Sequence, residues 1–419
     1  MRNLGALSLL LAASACTGSI DGDDGGGGTQ PPRNDVRVRV QDGFSGVASV
    51  RVIFQDAADT VIADTVTDAQ GLASAEMSAG SVTVIRTFPL ITPPPPEGQR
   101  APEVYTYVGV KNGDLLQVGD PTSTKSPGAI VVKVPDTAEG TVKVTTPCGA
   151  GQGTAPNIAI TVNDCPTMMG FLVTDAQQSS FFQEAPYAEN VDLSTGTLSG
   201  NLAATLSATN VPPNTTVNAE ERVVTGLFTL FSSGEKRVDQ APQTVTLPNL
   251  TGVDQLIVAR ISTQNMGTQI VSARDTYSGS PALIDASADL IPYITGNVQY
   301  APTGVSWTEM GSGTADAVYV TLSVTRGAGM GGVPLVDAEY TRLVIAPHAG
   351  TSLRMPVLPD ALYNPTSADQ IGGATGLVRA TGGYDAIRAK VFAVDRLADA
   401  APAGGKLVLS YAGGTAPGR

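Results

Sequence analysis

From residue 35 onward the chain alternates. Val36, Val38 and Val40 fall on one side, with Arg37 and Arg39 on the other. Val50, Val52 and Phe54 then alternate with Arg51, Ile53 and Gln55, and Val82 and Val84 continue the pattern. A two-residue period marks a strand with one buried face. Between these runs, Thr67-Asp68-Ala69-Gln70-Gly71 has the chemistry of a turn: the aspartate caps its own backbone and the glycine takes positive φ. Residues 105–110, then Asn112-Gly113, then 115–118 predict a hairpin, because Asn-Gly suits a type I′ turn. Further strands are expected over 129–134, 141–145 and 158–162. Residues 91–98 contain four successive prolines, Pro93 to Pro96, which fix φ and remove ladder donors, so they read as a stiff linker or exposed loop. No long amphipathic helix emerges, and the fold class predicted is all-β.

Composition agrees. Gly (47) and Pro (29) interrupt helices, while 42% hydrophobic residues suffice for real cores and argue against global disorder. Over 35–86, the run from Val47-Ala48-Ser49-Val50-Arg51-Val52 through the Thr67–Gly71 turn to Gly80-Ser81-Val82-Thr83-Val84 resembles carboxypeptidase-regulatory-like and bacterial Ig-like modules. That resemblance implies a small β-sandwich used as a spacer or accessory domain in surface proteins, and it brings no catalytic residues with it. The organisation expected is tandem Ig-like β-sandwich modules: an Ig-like sandwich over 34–98, a disulfide-bearing β region over 99–185, and two related sandwiches over 186–301 and 302–419. The last pair rests on ordered echoes. Thr205-Leu206-Ser207-Ala208-Thr209 recurs as Thr321-Leu322-Ser323-Val324-Thr325, Asp254-Gln255 as Asp369-Gln370, and Tyr300-Ala301 as Tyr411-Ala412. Asp285, Ala288, Asp289 and Pro292 likewise recur as Asp395, Ala398, Asp399 and Pro402. A period of roughly 110 residues is about one sandwich domain.

The N-terminus changes the picture from fold to location. Met1-Arg2-Asn3 is a short basic start, residues 4–13 are apolar, and Ala13-Ser14-Ala15 precede Cys16. The apolar run has the length of a signal-peptide core and is too short to span a bilayer. The Ala-Ser-Ala-Cys ending resembles the lipobox of bacterial lipoproteins, although Leu is commoner where Ala13 stands. The resemblance implies a signal peptide over 1–15 and a diacylglycerol on the Cys16 thiol. Thr17 in place of Asp after that cysteine implies the outer membrane under the enterobacterial sorting rule. Residues 16–33, with Gly25 to Gly28, cannot bury enough apolar surface to fold and are expected to be a flexible tether. The chain is then anchored to the cell envelope through its lipid.

A net charge of −13 without a Lys/Arg cluster argues against nucleic acid as a partner. Once Cys16 is lipidated, Cys148 and Cys165 are the remaining pair, and an oxidising compartment makes a disulfide the simplest expectation. A single histidine, His348, leaves too few ligands for zinc, and the Asp21–Asp24 cluster lacks the spacing and terminal glutamate of an EF-hand loop. No cofactor is expected. Ser233-Gly234-Glu235-Lys236 matches Ser-x-x-Lys, but that motif needs a helix to bring the lysine onto the serine, and here glycine lies inside it. Sugar sites lean on aromatic platforms, whereas aromatics are 5% of this chain and Trp307 reads as a core plug. The function expected is therefore non-catalytic: an envelope lipoprotein presenting β modules for structural or interaction roles. The rivals are an adhesion module for a glycan or protein partner, and an envelope hydrolase. The hydrolase requires converging acids, or His348 within hydrogen-bond reach of a Ser or Asp in a cleft.

Overall fold

The computed structural model describes residues 35–87, 102–120, 128–225, 228–264, 267–276, 282–326, 339–389, 397 and 400–411. Cys16, the signal and tether sequences and the proline run over 91–98 lie outside them. The chain is nearly all β, 62% strand against 3% helix. The first group of strands is β1 (Asp35–Asp42), β2 (Ser45–Gly46), β3 (Arg51–Gln55), β4 (Val61–Val66), β5 (Leu72–Glu76), β6 (Ala79–Arg86), β7 (Glu103–Lys111) and β8 (Leu115–Asp120). A second comprises β9 (Gly128–Lys133), β10 (Thr141–Thr146), β11 (Gly149–Thr154), β12 (Asn157–Val162), β13 (Met168–Thr174), β14 (Ser180–Pro186) and β15 (Asn190–Asp192). A third comprises β16 (Asn201–Thr209), β17 (Thr215–Thr225), β18 (Phe228–Ser232), β19 (Lys236–Arg237), β20 (Gln243–Pro248), β21 (Asp254–Thr263), β22 (Gly267–Thr276) and β23 (Ala282–Asp285). The fourth has β24 (Tyr293–Ala301), β25 (Gly304–Met310), β26 (Ala317–Thr325), β27 (Glu339–Pro347), β28 (Ser352–Arg354), β29 (Gln370–Ala380), the short helix α1 (Gly383–Arg388) and β30 (Gly405–Tyr411).

One pairing plan recurs in all four groups. In the first, β1 lies antiparallel to β5 and parallel to β8, β3 lies between β4 and β6, and β6 pairs with β7. β9 to β15 repeat this strand for strand, with an added β11–β12 pair. In the third group β16 pairs with β20 and, in parallel, with β23; β17 pairs with β18, β19 and β21; and β21 pairs with β22. In the fourth, β25, β26, β27, β28, β29 and β30 take the first six places. The pairings thus draw β7 and β8, from residues 103 to 120, into the first module.

Local sequence rules hold in the first module, with one instructive departure. β1 is buried at Val36, Val38 and Val40 and half-exposed between them. Gly71 has φ of 75°, and the Asp68 carboxylate accepts from the amides of Gln70 and Leu72, both at 2.9 Å. The turn at Asn112-Gly113, however, does not join a hairpin. β7 pairs with β6, while β8 runs parallel to β1 in the facing sheet. A type I′ turn needs positive φ at both central residues, and of the two only Gly113, at 85°, has it. The chain therefore turns a corner between sheets here.

Modules one, three and four are fused edge to edge. Among the described residues a 13-stranded sheet runs β18-β17-β21-β22-β30-β29-β26-β27-β7-β6-β3-β4, with β19 beside β17. β22 meets β30 antiparallel, and β27 meets β7 in parallel. On one face lies a core built with β16, β20, β24 and β25, containing Val217, Ala219, Val245, Trp307, Val320 and Leu322. On the other lies the core of the first module and α1, containing Val38, Val52, Phe54, Val84, Tyr107 and Ile387. The covering layer changes sides at the β7–β27 seam. This is why β6, buried at every position from Gly80 to Arg86, does not show the one-sided burial its alternation predicts.

Both faces of the seam are bolted by polar contacts. On one, Gln55 Nε2 donates to the Val357 carbonyl (2.7 Å), Arg51 pairs with Asp360 (3.0 Å), and Asp59 pairs with Arg354. Beside them the fully buried Arg342 of β27 donates within the fourth module, to the Pro356 carbonyl at 2.8 Å. On the other face, the Tyr384 hydroxyl donates to the Val108 carbonyl. Arg388, 3% exposed, donates to the Gly109 carbonyl (2.6 Å) and to Asp114 (2.9 Å), and Lys111 pairs with Asp385. Removing one partner from a buried charge pair costs far more than removing an exposed one. Arg388→Ala is therefore expected to lower stability by about 3 kcal/mol, read as a lower urea midpoint. Lys111→Ala, at an exposed pair, should cost less than about 1 kcal/mol.

Candidate functional site

The predicted disulfide is present. Cys148 lies between β10 and β11 and Cys165 in the loop after β12, and their sulfurs are bonded. Both cysteines pack against the core of the second module, which is made of residues such as Val142, Ile158, Met169 and Phe171. The bridge also holds the loop that carries Asp164, whose carboxylate reaches the first module. It accepts from the Phe44 amide at 3.1 Å and the Ser45 hydroxyl at 2.7 Å. Phe44 in turn packs on Phe228 of the third module, with ring centroids 5.0 Å apart.

His348 is the histidine on which acid–base chemistry would depend. It directly follows β27, and its backbone amide donates to the Asp316 carbonyl at 3.0 Å. Its Nε2 lies 2.8 Å from Oε1 of Glu309, at the end of β25, and the same oxygen accepts from the Trp307 indole at 2.6 Å. An ionised carboxylate only accepts, so Nε2 is the protonated nitrogen and Nδ1 of a neutral ring is left as an acceptor. The dyad joins the β27–β28 loop to β25. Among the described residues no serine or aspartate side chain bonds to the imidazole. Trp307 is 6% exposed and sits in the core, the position of a plug.

The other sequence candidates are dispersed. Ser233 Oγ accepts from the Glu221 amide at 3.0 Å and donates to the Gly234 carbonyl, while Lys236 stands exposed in β19. Asp285 ends β23, and its carboxyl is held down to about 2 by the amides of Ala288 and Ser287 and by Asn210. That is local turn bonding. Asp289 pairs with Lys406 at 2.7 Å. Among the described residues no group of three or more His, Cys, Asp or Glu is placed to hold a metal ion. The Thr205–Thr209 echo lies in β16 and its counterpart in β26, which occupy different places in the pairing plan; Asp254 and Gln370 begin β21 and β29, which occupy the same place. Asp395, Ala398, Asp399 and Ala412 lie outside the described residues.

One acid that sequence inspection missed is Glu221. It lies on the inward side of β17 between Ala219 and Val223, fully buried, and among the described residues neither carboxyl oxygen has a hydrogen-bond partner. Burial pushes its carboxyl up to about 7. The signal was available: in Val217-x-Ala219-x-Glu221-x-Val223 the glutamate occupies an inward place in a two-residue period.

No protein-family model matches the chain, and no curated protein matches it. Among solved structures, the Bacillus anthracis TIE protein aligns with 61% of this chain and 50% of its own, at 12% identity and a TM-score of 0.15. The native conformation of E. coli alpha-2-macroglobulin aligns with 90% of this chain and 27% of its own, at 8% identity and a TM-score of 0.12. A mutant Salmonella alpha-2-macroglobulin gives 9% identity, 90% and 28% coverage, and a TM-score of 0.12. This chain thus spans half or less of the length of each. Similarity at that level carries no argument about this chain.

Two measurements follow from the site residues. A carboxyl raised from 4.5 in the unfolded chain to about 7 in the fold stabilises fully below pH 4.5 and loses that contribution as pH climbs to about 7. Stability should fall by about 3 kcal/mol across that window from this group, and Glu221→Gln should flatten the profile, raising the urea midpoint at pH 8 towards its value at pH 4.5. Replacing both Cys148 and Cys165 by alanine should cost about 3 kcal/mol, read in the same denaturation.

Proposed function

We propose that this chain is a lipid-anchored protein of the bacterial cell envelope whose β modules form a stiff, non-catalytic platform for structural or interaction roles. The anchor rests on the lipobox-like Ala13-Ser14-Ala15-Cys16 and the glycine-rich tether after it. The non-catalytic reading is carried by one observation: the polar side chains suited to chemistry are engaged in structural bonds, apart from Glu221, which is fully buried in the core. Glu309 is shared between Trp307 and His348, Asp59 and Arg51 hold the fourth module to the first, and Ser233 caps its own turn. Edge-to-edge fusion of three modules suits load-bearing or display, since it removes the freedom that a string of separate domains would have. The recurrent pairing plan supports an origin by duplication of one sandwich.

The anchor is tested by fractionation and mass spectrometry. The native chain is expected in the membrane pellet with a mature N-terminus at an acylated Cys16, and Cys16→Ser is expected to release it. An unmodified Met1 start in a cytosolic fraction overturns the reading.

A further inference from the structure

The 13-stranded sheet ends differently at its two extremities. At one end the outer strand is broken into β18 and β19, the pairing with β17 slips between Val223 and Val224, and Lys236 and Arg237 stand exposed. Breaks, bulges and exposed cations are the devices that keep a sheet edge from accepting another strand. The other end is β4, an unbroken strand from Val61 to Val66 with β3 as its sole strand neighbour among the described residues; its pairing with β3 also slips once, between Phe54 and Gln55, where Ile62 is the extra residue. Val61, Ile62 and Val66 are 40%, 43% and 55% exposed. The strand's one charge, Asp64, is paired with Arg51, whose Nη2 and Nε donate to its two oxygens at 2.7 and 2.9 Å while Nη1 donates to Asp360 at 3.0 Å. There is no lysine and no proline.

We infer that the β4 edge pairs with the β4 edge of a second copy of this chain, antiparallel about a two-fold axis normal to the sheet. Three features favour a copy over an unrelated strand. The molecule already extends this same sheet by edge pairing within itself, at β22–β30 and at β7–β27. In the first of these, strands in the same place of the pairing plan meet antiparallel, which is the arrangement proposed for β4. The edge also carries no lysine or arginine, and its exposed side chains other than Asp64 are apolar, so self-pairing buries Val61, Ile62 and Val66 of both copies. The inference does not rest on the lipid anchor, which would only raise the local concentration of copies.

The test uses the full chain carrying Cys16→Ser, so that no acyl group drives association. Sedimentation velocity over a concentration series is expected to show a monomer–dimer equilibrium, with amide exchange of residues 61–66 slowing at least tenfold as dimer forms. The Ile62→Lys/Val66→Lys variant should weaken the dimer at least tenfold while keeping the far-UV dichroism. Val66→Cys should give a disulfide-linked dimer on oxidation, which tests the contact even if the lysine variant fails to fold. A chain that stays monomeric at every concentration overturns the inference, including one that captures an extended peptide at β4. So does a dimer whose 61–66 exchange is unchanged or that the folded lysine variant forms equally well.

Discussion

Where β7 lies parallel to β27, the layer covering the long sheet passes from one face to the other. A sheet in that position cannot follow the usual division into a dry face and a wet one, since strands on both sides of the seam are covered above and below. Backbone hydrogen bonds alone would leave the switch loose, because parallel pairing over five residues is a short join. The side chains supply the rest. Arg51, Gln55 and Asp59 hold one face, and Tyr384 and Arg388 the other. Gln55, Tyr384 and Arg388 donate across the seam to backbone carbonyls, those of Val357, Val108 and Gly109.

The seam also decides how far the modules can act separately. Residues more than two hundred apart in sequence meet between the first and fourth modules, as Tyr105 opposite Leu343 shows, and the two share a sheet and cores. The second module keeps its own core and its disulfide, and touches the first through Asp164 and the hairpin at Phe44 and Ser45. A chain built this way holds fixed angles between its parts. Such rigidity suits a protein that displays a surface at a distance from its anchor, which is the role proposed.

Glu221 runs against that economy. Thr83 and Thr106 find each other at 3.1 Å, whereas this carboxyl sits among Ala219 and Val223 with no partner among the described residues, and a carboxyl is costlier to bury so than the hydroxyls of Ser81, Ser272 and Ser410, which also have none. Its cost is met by keeping its proton, which ties the third module to pH in a way the rest of the sheet is not.

Period and punctuation were enough for much of the local structure. The alternation from Val36 to Val40 made a strand with a buried face, the Asp68–Gly71 turn formed as its residue types require, and Cys148 and Cys165 paired. All of these depend on neighbours close in sequence or on a single possible partner. The pairing plan, the fate of the Asn112-Gly113 turn and the partner of His348 were not legible, because each depends on which strand lies beside which. Glu309 is 39 residues from His348, and β8 pairs with a strand that begins at residue 35. The burial of Thr83 and Arg342 has the same origin: a strand carries in its own sequence the pattern of one covered face, but only the seam between distant modules covers the second.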